Sequence, residues 1–148
     1  MVTQTWDDTI FNVVQPSATT AGVKGGFPLI PFMHGSTGQW EFYSESLTRV
    51  ASHGFVVVFP FIKSPEGDKH WWTTNTNGDY LLKSIDYAEA MNDDESSPLF
   101  GLVDLETIIT AGHSMGGTCS IMAATRIAKG EVPGKTLKLA VAMHPGIW

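Results

Sequence analysis

Residues 107–122 read TIITAGHSMGGTCSIM, and this run decides the fold. A β-branched segment, Thr107-Ile108-Ile109-Thr110, leads into Gly112-His113-Ser114-Met115-Gly116, and a helix-compatible run starts at Gly117. Strand, sharp turn and helix, with a serine at the apex, is the context in which a G-x-S-x-G match marks a nucleophile elbow. The two glycines have a physical task. A serine on a strained turn leaves no room for side chains at its flanks, so Gly112 and Gly116 let strand and helix approach closely. The serine oxygen is then exposed at the C-terminal edge of a sheet. The new helix aims its first N–H groups at the same point.

Upstream of this run the chain alternates between strand and helix patterns. Thr9 to Gln15 is a short strand ended by Pro16, and Ser17 to Gly26 is a loop. Phe27 to Met33 is a second apolar run, made irregular by Pro28 and Pro31, which cannot donate to a ladder. It stops at His34-Gly35-Ser36-Thr37-Gly38. A helix is predicted from about Trp40 to His53, with Tyr43, Leu47, Val50 and Ala51 on one face and Gly54 closing it. Phe55 to Phe59 is continuously apolar, the pattern of a strand covered on both faces. A long loop containing Trp71 and Trp72 follows, then a helix from an Asp79 N-cap to about Met91 that buries Leu81, Ile85 and Ala88. Beyond the elbow, a helix to about Lys129 precedes a last strand, Leu137 to Met143.

The order is β, β, α, β, α, β, α, β, which predicts a parallel sheet with right-handed crossovers. Functional loops gather at the C-terminal ends of such strands. The loops after Met33, Phe59, Gly112 and Met143 are therefore expected on one face. Composition sets outer bounds. The chain has 148 residues, 43% hydrophobic and 16% charged, so one domain with a buried core is expected. A net charge of −6 with no basic cluster argues against a nucleic-acid surface. No apolar run is long enough for a membrane span, and no signal peptide is visible at the N-terminus. The single cysteine, Cys119, excludes an internal disulfide and reads as a buried, inert thiol. No Cys/His grouping has metal-ligand spacing, so neither metal nor organic cofactor is expected.

A serine hydroxyl is a weak nucleophile that needs a base, a group to orient the base, and donors for the oxyanion. Ser114 supplies the nucleophile. One oxyanion donor is expected to be the N–H of Met115 and the other the N–H of Ser36, in the glycine turn after Met33. His113 is expected to pack under the elbow and His34 to shape the oxyanion turn. Trp71 and Trp72 either pack over the sheet or line an apolar acyl or aromatic cleft. His144 ends the last strand on the cleft side and is expected to line the cleft. It is also the local candidate for a base, with nothing acidic after Ser114 placed to orient it.

With these motifs, and with Ala51-Ser52-His53-Gly54-Phe55-Val56-Val57-Val58 and His144-Pro145, the chain resembles the α/β-hydrolase superfamily. Within it, the resemblance is to the branch of cutinase-like polyester hydrolases, chlorophyllases and dienelactone-hydrolase-like esterases. The resemblance implies a three-layer α/β/α sandwich with a mostly parallel sheet, present here from its second strand to its sixth. It also implies serine-dependent hydrolysis of a small or polymeric carboxylic ester through an acyl-enzyme. Family order is Ser, then acid, then His, yet Glu131 sits at the wrong end of the sheet and His144 lacks an acid. The expectation is a single partial domain whose triad acid and base lie beyond Trp148, nearly inactive alone, with a last strand exposed to self-association. The alternative is a hydrolase-like binding protein that keeps the cleft without a base.

Overall fold

The computed structural model describes residues 1–17, 25–62 and 78–146. Six strands form one sheet: β1 (Val2–Trp6), β2 (Thr9–Val14), β3 (Phe27–Met33), β4 (Val56–Phe61), β5 (Val103–His113) and β6 (Thr136–Met143). Three α-helices accompany them: α1 (Ser44–Ser52), α2 (Asp79–Asp93) and α3 (Met115–Ala128). The strand order is β1-β2-β4-β3-β5-β6. β3 pairs in parallel with β4 and β5, and β5 with β6, while β1–β2 and β2–β4 are antiparallel. The sheet is thus mostly parallel, with an antiparallel flank formed by β1 and β2.

β1 extends the expected sheet by one strand. Asp7 and Asp8 both take positive φ, 46° and 59°, which turns β1 tightly into β2. The predicted helix from Trp40 divides into a 3-10 turn, Trp40–Phe42, and α1. Gly78, at φ 84°, takes the N-cap position expected of Asp79. α3 starts at Met115, two residues before the expected Gly117.

The layers follow from the two-residue period of the strands. On one face, Leu29, Val56, Val58 and Ile108 pack with Ile85 and Ala88 of α2 and Ile127 of α3. On the other, Ile30, Phe32, Val57, Phe59 and Ala111 pack with Leu47 and Ala51 of α1. Helices on both faces of one sheet make a three-layer α/β/α sandwich. The proline-bearing β3 is irregular where Pro28 falls: between Pro28 and Leu29 the β5 partner jumps from Asp104 to Ile108, a bulge of the kind that tolerates proline. The Asp104 carboxylate closes that bulge by accepting the N–H groups of Glu106 and Thr107, at 3.0 and 3.1 Å. β3, β5 and β6 end together at Met33, His113 and Met143, and the elbow begins there.

Candidate active site

Ser114 stands between β5 and α3 at φ 55°, ψ −121°, a conformation that strains any residue with a side chain. Four backbone hydrogen bonds hold it there. Its N–H donates to the Met143 carbonyl at 2.8 Å, and its own carbonyl accepts from Gly117, Thr118 and Gly146 at 2.9, 3.3 and 3.0 Å. Strain of about 1–3 kcal/mol persists only when surrounding structure over-determines it, and here strand, helix and the segment after β6 all do so. The flanking glycines act as the sequence predicts. A Cβ on Gly112 would lie 2.1 Å from the Gly116 carbonyl oxygen, and one on Gly116 would lie 2.1 Å from that of Met33. Behind the turn, the Thr110 hydroxyl donates to the Ser120 carbonyl and fixes α3 on β5.

Ser114 is only partly buried. Met115 is the first residue of α3, so its N–H belongs to the first turn, where no intrahelical acceptor exists. The His34–Gly38 turn lies against the elbow, since a Cβ on Gly35 would meet the Ser114 Cβ at 3.1 Å. The Gly35 carbonyl organises that turn by accepting from the Gly38 N–H at 3.0 Å and from His34 Nδ1 at 2.7 Å. The Ile62 N–H donates to His34 Nε2 at 3.2 Å, so the proton of this neutral imidazole sits on Nδ1. Burial pushes its pKa below the ordinary 6.5, partly opposed by the bond to Gly35. His34 is structural, as its place beside the glycines suggests. Ser36 is exposed at the tip of the turn, and its N–H has no acceptor among the described residues.

His113 does more than pack. Its Nδ1 lies 3.0 Å from the Tyr43 hydroxyl, which also receives the Gly35 N–H at 3.1 Å. Helical periodicity marks Tyr43 only as a residue on the inner face of α1; its polar end is the site residue that the pattern hides. His144 is exposed, at φ 45°, and the segment from Met143 to Gly146 wraps the elbow through the backbone bonds to Ser114. Trp71 and Trp72 lie outside the described residues. Cys119 is buried in α3, and burial pushes its thiol up to about 11, the inert state expected. Glu131 pairs with Arg126 Nε at 3.0 Å, in a surface cluster with Asp79. No imidazole or carboxylate hydrogen-bonds Ser114 Oγ among the described residues. No group of three potential metal ligands occurs among them, and none of their helices is long and apolar enough to cross a membrane.

A mostly parallel sheet between helical layers, with a strained strand-to-helix serine at its C-terminal edge, defines an α/β-hydrolase fold. A crystal structure of a mutant of the esterase rPPE shares that fold, with a TM-score of 0.61 and 22% identity over 97% of this chain and 42% of that one. Residues 11–144 match the chlorophyllase family model, and the chain belongs to that family. Chlorophyllase-1, chloroplastic, of Citrus unshiu is 27% identical over 119 residues, and that of Citrus sinensis 28% identical over 120. Each alignment covers 78% of this chain and 34% of the relative, so the chain spans about a third of the length of the curated relatives it matches.

Proposed function

We propose that Ser114 is the nucleophile of a carboxylic-ester hydrolase that works through an acyl-enzyme. The observation that carries this reading is the strained Ser114 backbone, locked by its neighbours and set against a second glycine turn. Strain of this kind is retained where it exposes a reactive group. Ser114 Oγ attacks the ester carbonyl carbon as a general base takes its proton, and the carbonyl oxygen gains the negative charge. The N–H groups of Met115 and Ser36 hold that oxyanion; the C–O bond to the alcohol breaks and the base returns the proton to the departing oxygen. Water, losing a proton to the same base, then attacks the acyl-enzyme, and the acid leaves as Ser114 Oγ is reprotonated. Kinship with proteins named chlorophyllases makes a chlorophyll-type ester the first substrate to test. An apolar groove of about 530 Å³ runs along the α1 face of the sheet beside His113 and Tyr43, and Ser114 does not line it.

Among the described residues no imidazole or carboxylate hydrogen-bonds Ser114 Oγ, and we propose that the base and its orienting acid come from elsewhere in the protein. On that reading residues 1–148 expressed alone retain only a residual rate, roughly 10³–10⁴-fold over water. Brisk p-nitrophenyl ester hydrolysis by these residues, lost in Ser114→Ala, would overturn that expectation and promote His144 as a candidate base. The direct test is a fluorophosphonate followed by peptide mass spectrometry, on the protein expressed from its own coding sequence. Label on Ser114, absent in Ser114→Ala, is the expected result. Label on another residue overturns the assignment.

A further inference from the structure

The Tyr43 hydroxyl joins two segments that the proposed chemistry needs at a fixed separation. Its two partners stand 8 and 70 residues away in the chain. The Gly35 N–H can only donate, so the tyrosine oxygen accepts it at 3.1 Å. The same hydroxyl bonds His113 Nδ1, 3.0 Å away, as donor or as second acceptor according to the ring tautomer. The phenol ring is itself held, with centroids 5.3 Å from Phe32 and 5.7 Å from Phe59.

Two consequences follow for the turn. The Gly35 N–H is occupied, whereas the next N–H, that of Ser36, makes no hydrogen bond among the described residues. The turn also cannot drift from the elbow while the clamp is closed, because Gly35 is tied through one hydroxyl to the residue that precedes Ser114. A Cβ on Gly38 would meet the same hydroxyl at 3.1 Å, so the turn is folded tightly around it.

We propose that Tyr43 is a positioning residue: its hydroxyl sets the spacing between the Ser36 and Met115 N–H groups by clamping the glycine turn to the elbow. This rests on the ester-hydrolase reading above. Losing an oxyanion donor outright costs about 10²–10³ in kcat. Loosening one without removing it is expected to cost about tenfold.

The test uses the protein expressed from its own coding sequence, with fluorophosphonate labelling of Ser114 and p-nitrophenyl ester kinetics. In Tyr43→Phe, labelling is expected to slow about tenfold and kcat to fall alike, with KM within about twofold. His113→Leu removes the hydroxyl's partner and should behave the same way. His113→Asn places an amide oxygen near the position of Nδ1 and should restore the rate to within about threefold of the parent. The His113 pair decides the matter if Tyr43→Phe does not fold. Folded Tyr43→Phe and His113→Leu that label as fast as the parent overturn the clamp and leave the ester-hydrolase reading standing. Equal losses in His113→Asn and His113→Leu also overturn it, by reducing His113 to packing. A parent that is not labelled at Ser114 overturns the ester-hydrolase reading itself, and the clamp with it.

Discussion

β5 and β6 run side by side in parallel from Thr107–Thr136 to His113–Met143, yet they are held very differently. β5 has a strand on each side, and it ends in the elbow, where backbone atoms of β3, α3 and the segment after β6 converge. β6 has one neighbour; Leu139 is 54% and Met143 40% exposed along it. The same contrast separates the two faces of the sheet. α2 and α3 close one face, while α1 covers only part of the other and leaves the apolar groove over Ile109, Ala111 and Val141. The lesson is that Ser114 is fixed from the centre of the sheet outward, and that constraint weakens toward β6. Substitutions graded along that path should show the gradient.

The largest effect belongs to Gly116→Ala. The added Cβ would lie 2.1 Å from the Met33 carbonyl oxygen and 2.5 Å from that of His34. Both are backbone atoms at a strand end and cannot move aside without breaking the sheet. Losses above about 4 kcal/mol are exceptional for one substitution, and overpacking a core is among their causes. Gly116→Ala should reach that class, seen as loss of the cooperative urea transition. A variant that unfolds within about 1 kcal/mol of the parent would show that the elbow is looser than its contacts imply.

His34 comes next and sharpens the comparison by pH. Its folded pKa lies below the ordinary 6.5 because burial penalises the cation, so the unfolded chain takes up the proton first as pH falls. The contribution of the neutral ring is intact above pH 6.5 and is lost as pH falls from there through the lowered folded value. Thermal unfolding between pH 7.5 and 5 should show this loss. Nitrogen NMR of His34 should show the Nδ1–H tautomer in the folded protein even below pH 6.5. His34→Leu leaves the Ile62 N–H without its acceptor and should cost about 1–3 kcal/mol. A protonated His34 ring in folded protein at pH 6.5 would contradict the burial argument.

The elbow was legible in the sequence because its determinants are local. Strand run, glycine spacing and helix start sit within sixteen residues, and Gly112 and Gly116 are required by contacts among themselves and the end of β3. Features that depend on tertiary contacts or on atypical turns were not legible. β1 exists by pairing Val2 to Trp6 against β2 across a turn of two aspartates, without the glycine that signals such a turn. Gly78 displaces Asp79 from the cap because a Cβ there would sit 2.7 Å from the Ala123 nitrogen of α3, a close approach that no local pattern reveals. Tyr43 counts as an apolar residue in a periodicity, although its hydroxyl links the two turns of the site. For Gly78 and for the Tyr43–His113 bond the deciding partner lies far away in sequence, and for β1 the turn lacks its usual glycine, so one-dimensional spacing does not register them.

Leu139→Lys tests the loose end of the gradient, and it should have the smallest effect on stability. More than half of Leu139 is already exposed, so the substitution forfeits little apolar burial, and unfolding should shift by no more than about 0.5 kcal/mol. Its effect on association should be larger. An edge strand offers unpaired N–H and C=O groups to another chain, and a lysine on that edge opposes a second strand by charge and by the cost of desolvating it. We propose that copies of the chain associate through β6. Sedimentation velocity at micromolar concentration should then find self-association in the parent and a shift toward monomer in Leu139→Lys. Ile10→Lys on β2, 41% exposed and away from this edge, should leave the distribution unchanged. Equal shifts in both variants would trace the effect to net charge instead of the β6 edge, and no shift in either would place association elsewhere on the molecule.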